Sequence, residues 1–289
     1  MTAETLEGVI LDPAKYPNLF SKAEDEGVTP STVSGIQSAR YGRKGEELKD
    51  LWLWAADGCG YGVNNGVNKD GDVFFYHTNA AENPGLKDPK GFARQVTGSG
   101  AFFLEPEQSK TLEAKANNRT DNSVVASNMS RLKRQGMLKT DKDNKGIVYV
   151  EVRTDVLIQG KESFREIYGD EVTNLFDATH GEAVYGGGGI GTELNQMRKE
   201  TTRIYFVNPD IIKNKLKNKQ EGTTLWMAAY VGNFGNSSDV HFNSSNLSNP
   251  HRGLHGTVRK SGEARADAKP GVYLSSPGIS GPTPPPATR

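Results

Sequence analysis

The sequence predicts an α+β fold, and three observations carry that prediction. Strand-like runs rich in Val, Ile, Phe and Tyr recur at Val73–His77, Ala101–Leu104, Gly146–Thr154, Ala183–Tyr185, Thr202–Val207 and Thr224–Val231. Helix-compatible stretches lie between them, near Glu107–Asn117, Ser123–Gln135 and Ile211–Asn218. The order is irregular and carries no internal repeat, which argues against a regular βα winding or a solenoid.

Taken from the start, residues 1–50 are polar with scattered apolar positions, and they read as an N-terminal extension of short helices. Thr29-Pro30-Ser31-Thr32 suits a helix start, because proline fits the first turn. Glu46–Trp54 reads as a helix that presents Leu and Trp to a core. The Gly- and Asn-rich run Gly58–Gly71 then reads as a loop, as does Asn233–Pro250 with its Asn and Ser. Residues 51–260 hold the strands and form the principal domain. Residues 261–289 are poor in apolar side chains and end in a Pro/Gly-rich stretch, the composition of a flexible tail.

Composition narrows the function classes. The 289 residues suffice for one large domain or two small ones. Lys+Arg and Asp+Glu balance at 35 each, so no global field draws the chain to nucleic acid or a membrane. The single Cys59 rules out an internal disulfide and suits a reducing compartment. No stretch approaches about 18 uninterrupted apolar residues, so a soluble monomer is expected. Asp141-x-Asp143-x-Lys145-Gly146 imitates a calcium loop but puts lysine at the third ligand position. His251-x-x-x-His255 has metal spacing, yet Pro250 and Gly253 disfavour the helix it needs, so no metal is expected. The lysines at 213, 215, 217 and 219 read as a solvated helix face.

Three motifs bear on chemistry. His77-Thr78 ends an apolar strand, where an imidazole and a hydroxyl can bond a sugar. Gly98-Ser99-Gly100-Ala101-Phe102-Phe103 sets glycines before an aromatic strand, allowing close backbone approach and a stacking ring. Ser109-Lys110-Thr111 follows on a helix, and Glu182 heads Glu182-Ala183-Val184-Tyr185. Taken singly, each is also compatible with an ordinary capped or buried element.

Together these residues resemble the ADP-ribosyltransferases of the diphtheria-toxin and poly(ADP-ribose) polymerase type, over roughly residues 70–210. That resemblance implies a split mixed or antiparallel β core with flanking helices and long loops, NAD as substrate, and a catalytic domain at 51–260. It implies that His77, Thr78, Gly100, Phe102 and Thr111 hold NAD, that Glu182 is the catalytic carboxylate, and that His77 shares in catalysis by positioning NAD. A carboxylate by the ribose would stabilise the oxocarbenium-like centre formed as the nicotinamide bond breaks. A mono-ADP-ribosyltransferase toxin or effector, acting on a host protein in the host-cell cytoplasm, is the corresponding expectation. The sequence departs from the family's pattern at Phe102, which stands in a tyrosine's place, and lacks a second stacking tyrosine on the helix.

Two alternatives stand beside it. Gly186-Gly187-Gly188-Gly189-Ile190-Gly191 satisfies the dinucleotide fingerprint, with Asp210 about 20 residues on, which would suit a Rossmann-type NAD-dependent oxidoreductase. A non-enzymatic adaptor whose glycine runs are loops is the other.

Overall fold

The computed structural model describes residues 5–11, 16–41, 48, 51–64, 71–99, 102–118, 123–181, 184–186, 200–232, 239–244, 253–260 and 273–275. Its centre is a pair of long antiparallel strands, β3 (Leu53–Asn64) and β10 (Thr224–Val231). All eight residues of β10 are buried, as a central strand covered on both faces requires.

Each central strand changes partner half-way along. The outer edge of β3 pairs at Leu53 and Trp54 with β12 (Gly253–Lys260), and from Gly58 to Asn64 with β4 (Asp72–Thr78). The outer edge of β10 pairs first with β5 (Phe102–Leu104), then with β11 (Val240–Ser244). The sheet therefore branches. One arm continues β12, β1 (Thr5–Leu11), β13 (Tyr273–Ser275), and the opposite arm β11, β9 (Thr201–Val207), β8 (Ile147–Arg153), β7 (Leu138–Thr140). Two short strands complete it: β2 (Thr29–Pro30) on β12, and β6 (Val124–Asn128) on β4.

The partner exchange on β3 has a local cause. Gly58 lies opposite Ala228 and Trp54 opposite Tyr230, so Ala55–Asp57 bulge against Ala229 alone. The bulged groups find other partners. Ala56 donates its N–H to the Ser31 carbonyl at 2.8 Å and accepts from Asn83 Nδ2 at 2.6 Å. The Asp57 carboxylate accepts the Val33 N–H at the start of α2 (Val33–Tyr41).

Two cores form on the two faces. One packs Ala55, Tyr61, Phe75, Val150, Phe206 and Phe242 against α2, α6 (Met129–Arg134), α7 (Thr154–Gln159), α8 (Lys161–His180) and α9 (Pro209–Leu216). The other packs Trp54, Tyr76, Phe102, Trp226 and Tyr230 against α1 (Tyr16–Asp25), α4 (Pro89–Ser99) and α5 (Pro106–Asn117). The short α3 (Pro84–Lys87) leads into α4. Among the described residues, no helix is long and apolar enough to cross a membrane.

The α+β class holds, while several elements differ from the sequence reading. Trp54 and Gly58 through Asn64 belong to β3; they are neither the end of a helix nor a loop. Glycine is needed there because neighbouring side chains cross the strand: a Cβ on Gly58 would lie 2.0 Å from the Trp226 ring. Ser123–Gln135 divides into β6 and α6 at Asn128, whose side chain caps the helix by accepting from Arg131 N–H at 2.8 Å. Residues 1–50 are not a separate helical extension, since β1 is a full strand of the sheet. Tyr273–Ser275, within the stretch read as a tail, pairs with β1. Val184 and Tyr185 lie in a turn rather than a strand.

Candidate functional site

Strand order and register build one row of side chains across six strands. Trp54 lies opposite Tyr230, Tyr230 opposite His241, His241 opposite Tyr205, Tyr205 opposite Tyr149, and Tyr149 opposite Lys139. All point to the same side, because the residues alternating with them (Val150, Ile204, Val231, Val240) enter the core on the other side. The rings touch. His241 is held between Tyr230 and Tyr205, each 4.6 Å away and within 6° of parallel. Trp52 stacks on Tyr230 at 5.7 Å, and Tyr149 meets Tyr205 at 5.4 Å.

A charged row runs alongside on the same face. The Glu151 carboxylate accepts from Lys139 Nζ and from Arg203 Nε, both at 2.7 Å. Arg203 also donates to the Tyr205 hydroxyl at 3.2 Å, and its guanidinium lies 4.8 Å from the centre of the Tyr149 ring. Asp239 accepts the Arg203 backbone N–H at 3.2 Å. Burial alone would raise the Glu151 carboxyl, but the bonds from Lys139 and Arg203 outweigh it and hold the group below its ordinary value. At Tyr205, by contrast, burial prevails and pushes the phenol up. Lys139 is raised by its bond to Glu151.

The row is buried from Trp54 to Tyr205 and opens at Tyr149, which is half-buried, as is Trp52 beside Tyr230. Among the described residues, the helices on this side of the sheet, α1, α4 and α5, make no substantial contact with β8, β9 or β11. Residues 233–238, which join β10 to β11, and 245–252, which join β11 to β12, leave from the same strands. The sequence marks β8 and β9 as strands, but His241 sits in a stretch whose Asn and Ser content reads as loop. Which residues stand side by side depends on a register that pairs positions 149, 205, 230 and 241.

The residues expected to hold NAD are placed differently. His77 is buried on the α8 side of the sheet, beside Phe242 at 5.5 Å and with Nε2 3.6 Å from Asp57 Oδ2. Phe102 is buried on the opposite side, against Phe92 at 4.8 Å. The sheet thus separates the imidazole from the ring meant to share a hollow with it. Thr78 is buried and donates to the Gly58 carbonyl at 3.2 Å. Thr111 is exposed and bonds the Glu107 carbonyl one turn back in its own helix. Gly100 and Glu182 lie outside the described residues.

The dinucleotide fingerprint does not sit in a doubly wound sheet. β9 pairs antiparallel with β8, and Gly186 donates its N–H to the Leu157 carbonyl at 3.0 Å. Gly187–Gly191 lie outside the described residues. Asp210 occupies the first turn of α9 and pairs with Lys133 at 2.9 Å. The Asp141 loop is a tight hairpin: Asp141 Oδ1 accepts the N–H groups of Asp143 and Asn144, both at 2.9 Å.

No family model matches the chain. No curated protein matches it either. Among solved structures it is similar to one described as "Accommodation of massive sequence variation in Nanoarchaeota by the C-type lectin fold". The two are 11% identical, with a TM-score of 0.50 over 90% of this chain and 99% of the other. At that identity the likeness concerns fold: this α+β chain has an architecture similar to the C-type lectin fold.

Proposed function

We propose that this chain is a recognition protein that binds a macromolecular partner through the outer face of β8 and β9, at the half-buried end of the aromatic row. The observation that carries this reading is the aromatic row from Trp52 to Tyr149 with the charged row beside it. Tyr, Trp and Arg dominate the energetics of protein interfaces, and they contribute most when already rigid. Here stacking and the Glu151 clamp fix them before any partner arrives, which lowers the entropy lost on binding. In sequence, residues 233–238 and 245–252, which flank β11, are rich in Asn, Ser and Gly, a composition suited to adaptable hydrogen bonding.

The similar solved structure is described as accommodating massive sequence variation. Carried to this chain, that description supports a reading in which the sheet tolerates sequence change at positions 233–238 and 245–252. ADP-ribosyl transfer, the expectation raised by the motifs at His77 and Phe102, gains no support from side chains on opposite faces of a sheet.

A displayed library varied at positions 233–238 and 245–252 tests the reading. Most members should keep the protease resistance of the starting chain, and sorting should yield binders to chosen folded proteins. General loss of protease resistance would overturn it. So would nicotinamide release from NAD by the unvaried chain that disappears in His77→Ala.

A further inference from the structure

The outer end of the platform carries a more specific chemistry. Lys139 and Arg203 have side chains 54% and 38% exposed, whereas the Glu151 that bridges them is 15% exposed. The carboxylate therefore lies beneath and the two cations point outward. Arg203 uses Nε on Glu151 and Nη1 on the Tyr205 hydroxyl, and among the described residues its Nη2 has no partner. The only bond made by Lys139 Nζ among the described residues is to Glu151, so its other N–H groups face out. Both cations are held in place, and the half-buried Tyr149 ring forms the floor between them.

Resting on the recognition reading above, we infer that this clamp receives a carboxylate side chain of a protein partner, seated on Lys139 and Arg203 at the end of the aromatic row. The charge complementarity is local. Two outward cations over the one carboxylate of Glu151 leave a single excess positive charge among the three groups, which matches one carboxylate and lacks the broad positive field that a nucleic acid would need. The planar guanidinium, held over Tyr149, offers its free Nη2 to a carboxylate in a fixed direction.

The test uses the full chain and a blocked Gly-Glu-Glu-Gly peptide, followed by NMR of Arg203 Nε–H, Lys139 Nζ and the Tyr149 ring. These nuclei should shift saturably, with a dissociation constant on the order of millimolar, and Gly-Gln-Gln-Gly should leave them unmoved. Arg203→Gln and Lys139→Gln should each weaken binding at least about 5-fold, and Arg203→Lys should weaken it too, because it keeps the charge but loses the planar guanidinium. Lys87→Gln, on the exposed side of α3, should change nothing. Unmoved nuclei at high peptide concentration, or unaltered binding in Arg203→Gln, would overturn the inference. Equal affinity for inorganic sulfate would reduce the clamp to a general anion site, and tighter binding of a single-stranded oligonucleotide would assign it to nucleic acid; either overturns it. Because the peptide needs no varied segment, a failed clamp with a successful library sinks this inference alone. A failed library with a working clamp sinks the recognition reading.

Discussion

Glu151 holds two cations on one carboxylate, and its acidity carries a stability consequence. Its folded value lies below the ordinary carboxylate range, although burial pulls the other way. A depressed folded value means that the contribution is present above the unfolded value and is lost as pH falls through the folded one. Glu151→Gln should therefore cost about 1–2 kcal/mol at neutral pH. That difference from the parent chain should shrink toward zero as pH falls from the ordinary carboxylate value through the lower folded one, read by urea unfolding across pH. A difference that stays constant with pH would mean that Glu151 acts by packing alone. None of this is visible in the primary sequence, where Lys139, Glu151 and Arg203 are separated charges on three strands. What the sequence does show is alternation: Tyr149, Glu151 and Arg153 against Val148, Val150 and Val152 announces a half-buried strand.

At the scale of elements, β3 is where sequence reading and structure diverge most clearly. Gly58-Cys59-Gly60, the start of the run Gly58–Gly71, looks like a loop because small residues and glycine usually punctuate chains. Here they are small because Trp226 and Thr224 cross the strand at Gly58 and Gly60. Gly58→Ala should destabilise the protein by about 3 kcal/mol, since the ring must leave its place. Adding Trp226→Leu in that background should recover some of the loss, giving a non-additive pair in thermal unfolding. Strict additivity would show that the two positions do not share space. The 20-residue helix α8 is hidden in the sequence for a different reason. Its apolar positions Phe164, Val172, Leu175 and Phe176 are interrupted at Gly169, whose φ of 79° breaks the helical path and with it the 3.6-residue rhythm. By contrast β8 and β9 are legible because β-branched and aromatic side chains make up most of each, and β10 because an unbroken apolar run extends from Leu225 to Val231.

For the whole molecule, the consequential feature is how the first described strand closes on one of the last. β1 runs antiparallel to β12 over its full 7 residues and buries Val9 and Leu11. Removing residues 1–15 would strip these contacts and bare the edge of β12. The melting temperature should fall by about 10 °C or more, measured by calorimetry. A truncated chain that melts with the parent would restore the separate extension that composition suggested. Long-range pairing of this kind could not be read from residues 1–50, since the partner of Thr5 is Lys260.

That pairing also decides how the protein answers to tension. Thr5 opens β1 and faces Lys260 at the close of β12, so a pull applied at these two residues loads their ladder from one end. The bonds would break in succession, like a zip, instead of sharing the strain. A tether at those two positions would make the sheet yield to a gentle force, and it would yield first at the arm opposite the one that carries Tyr149 and Glu151.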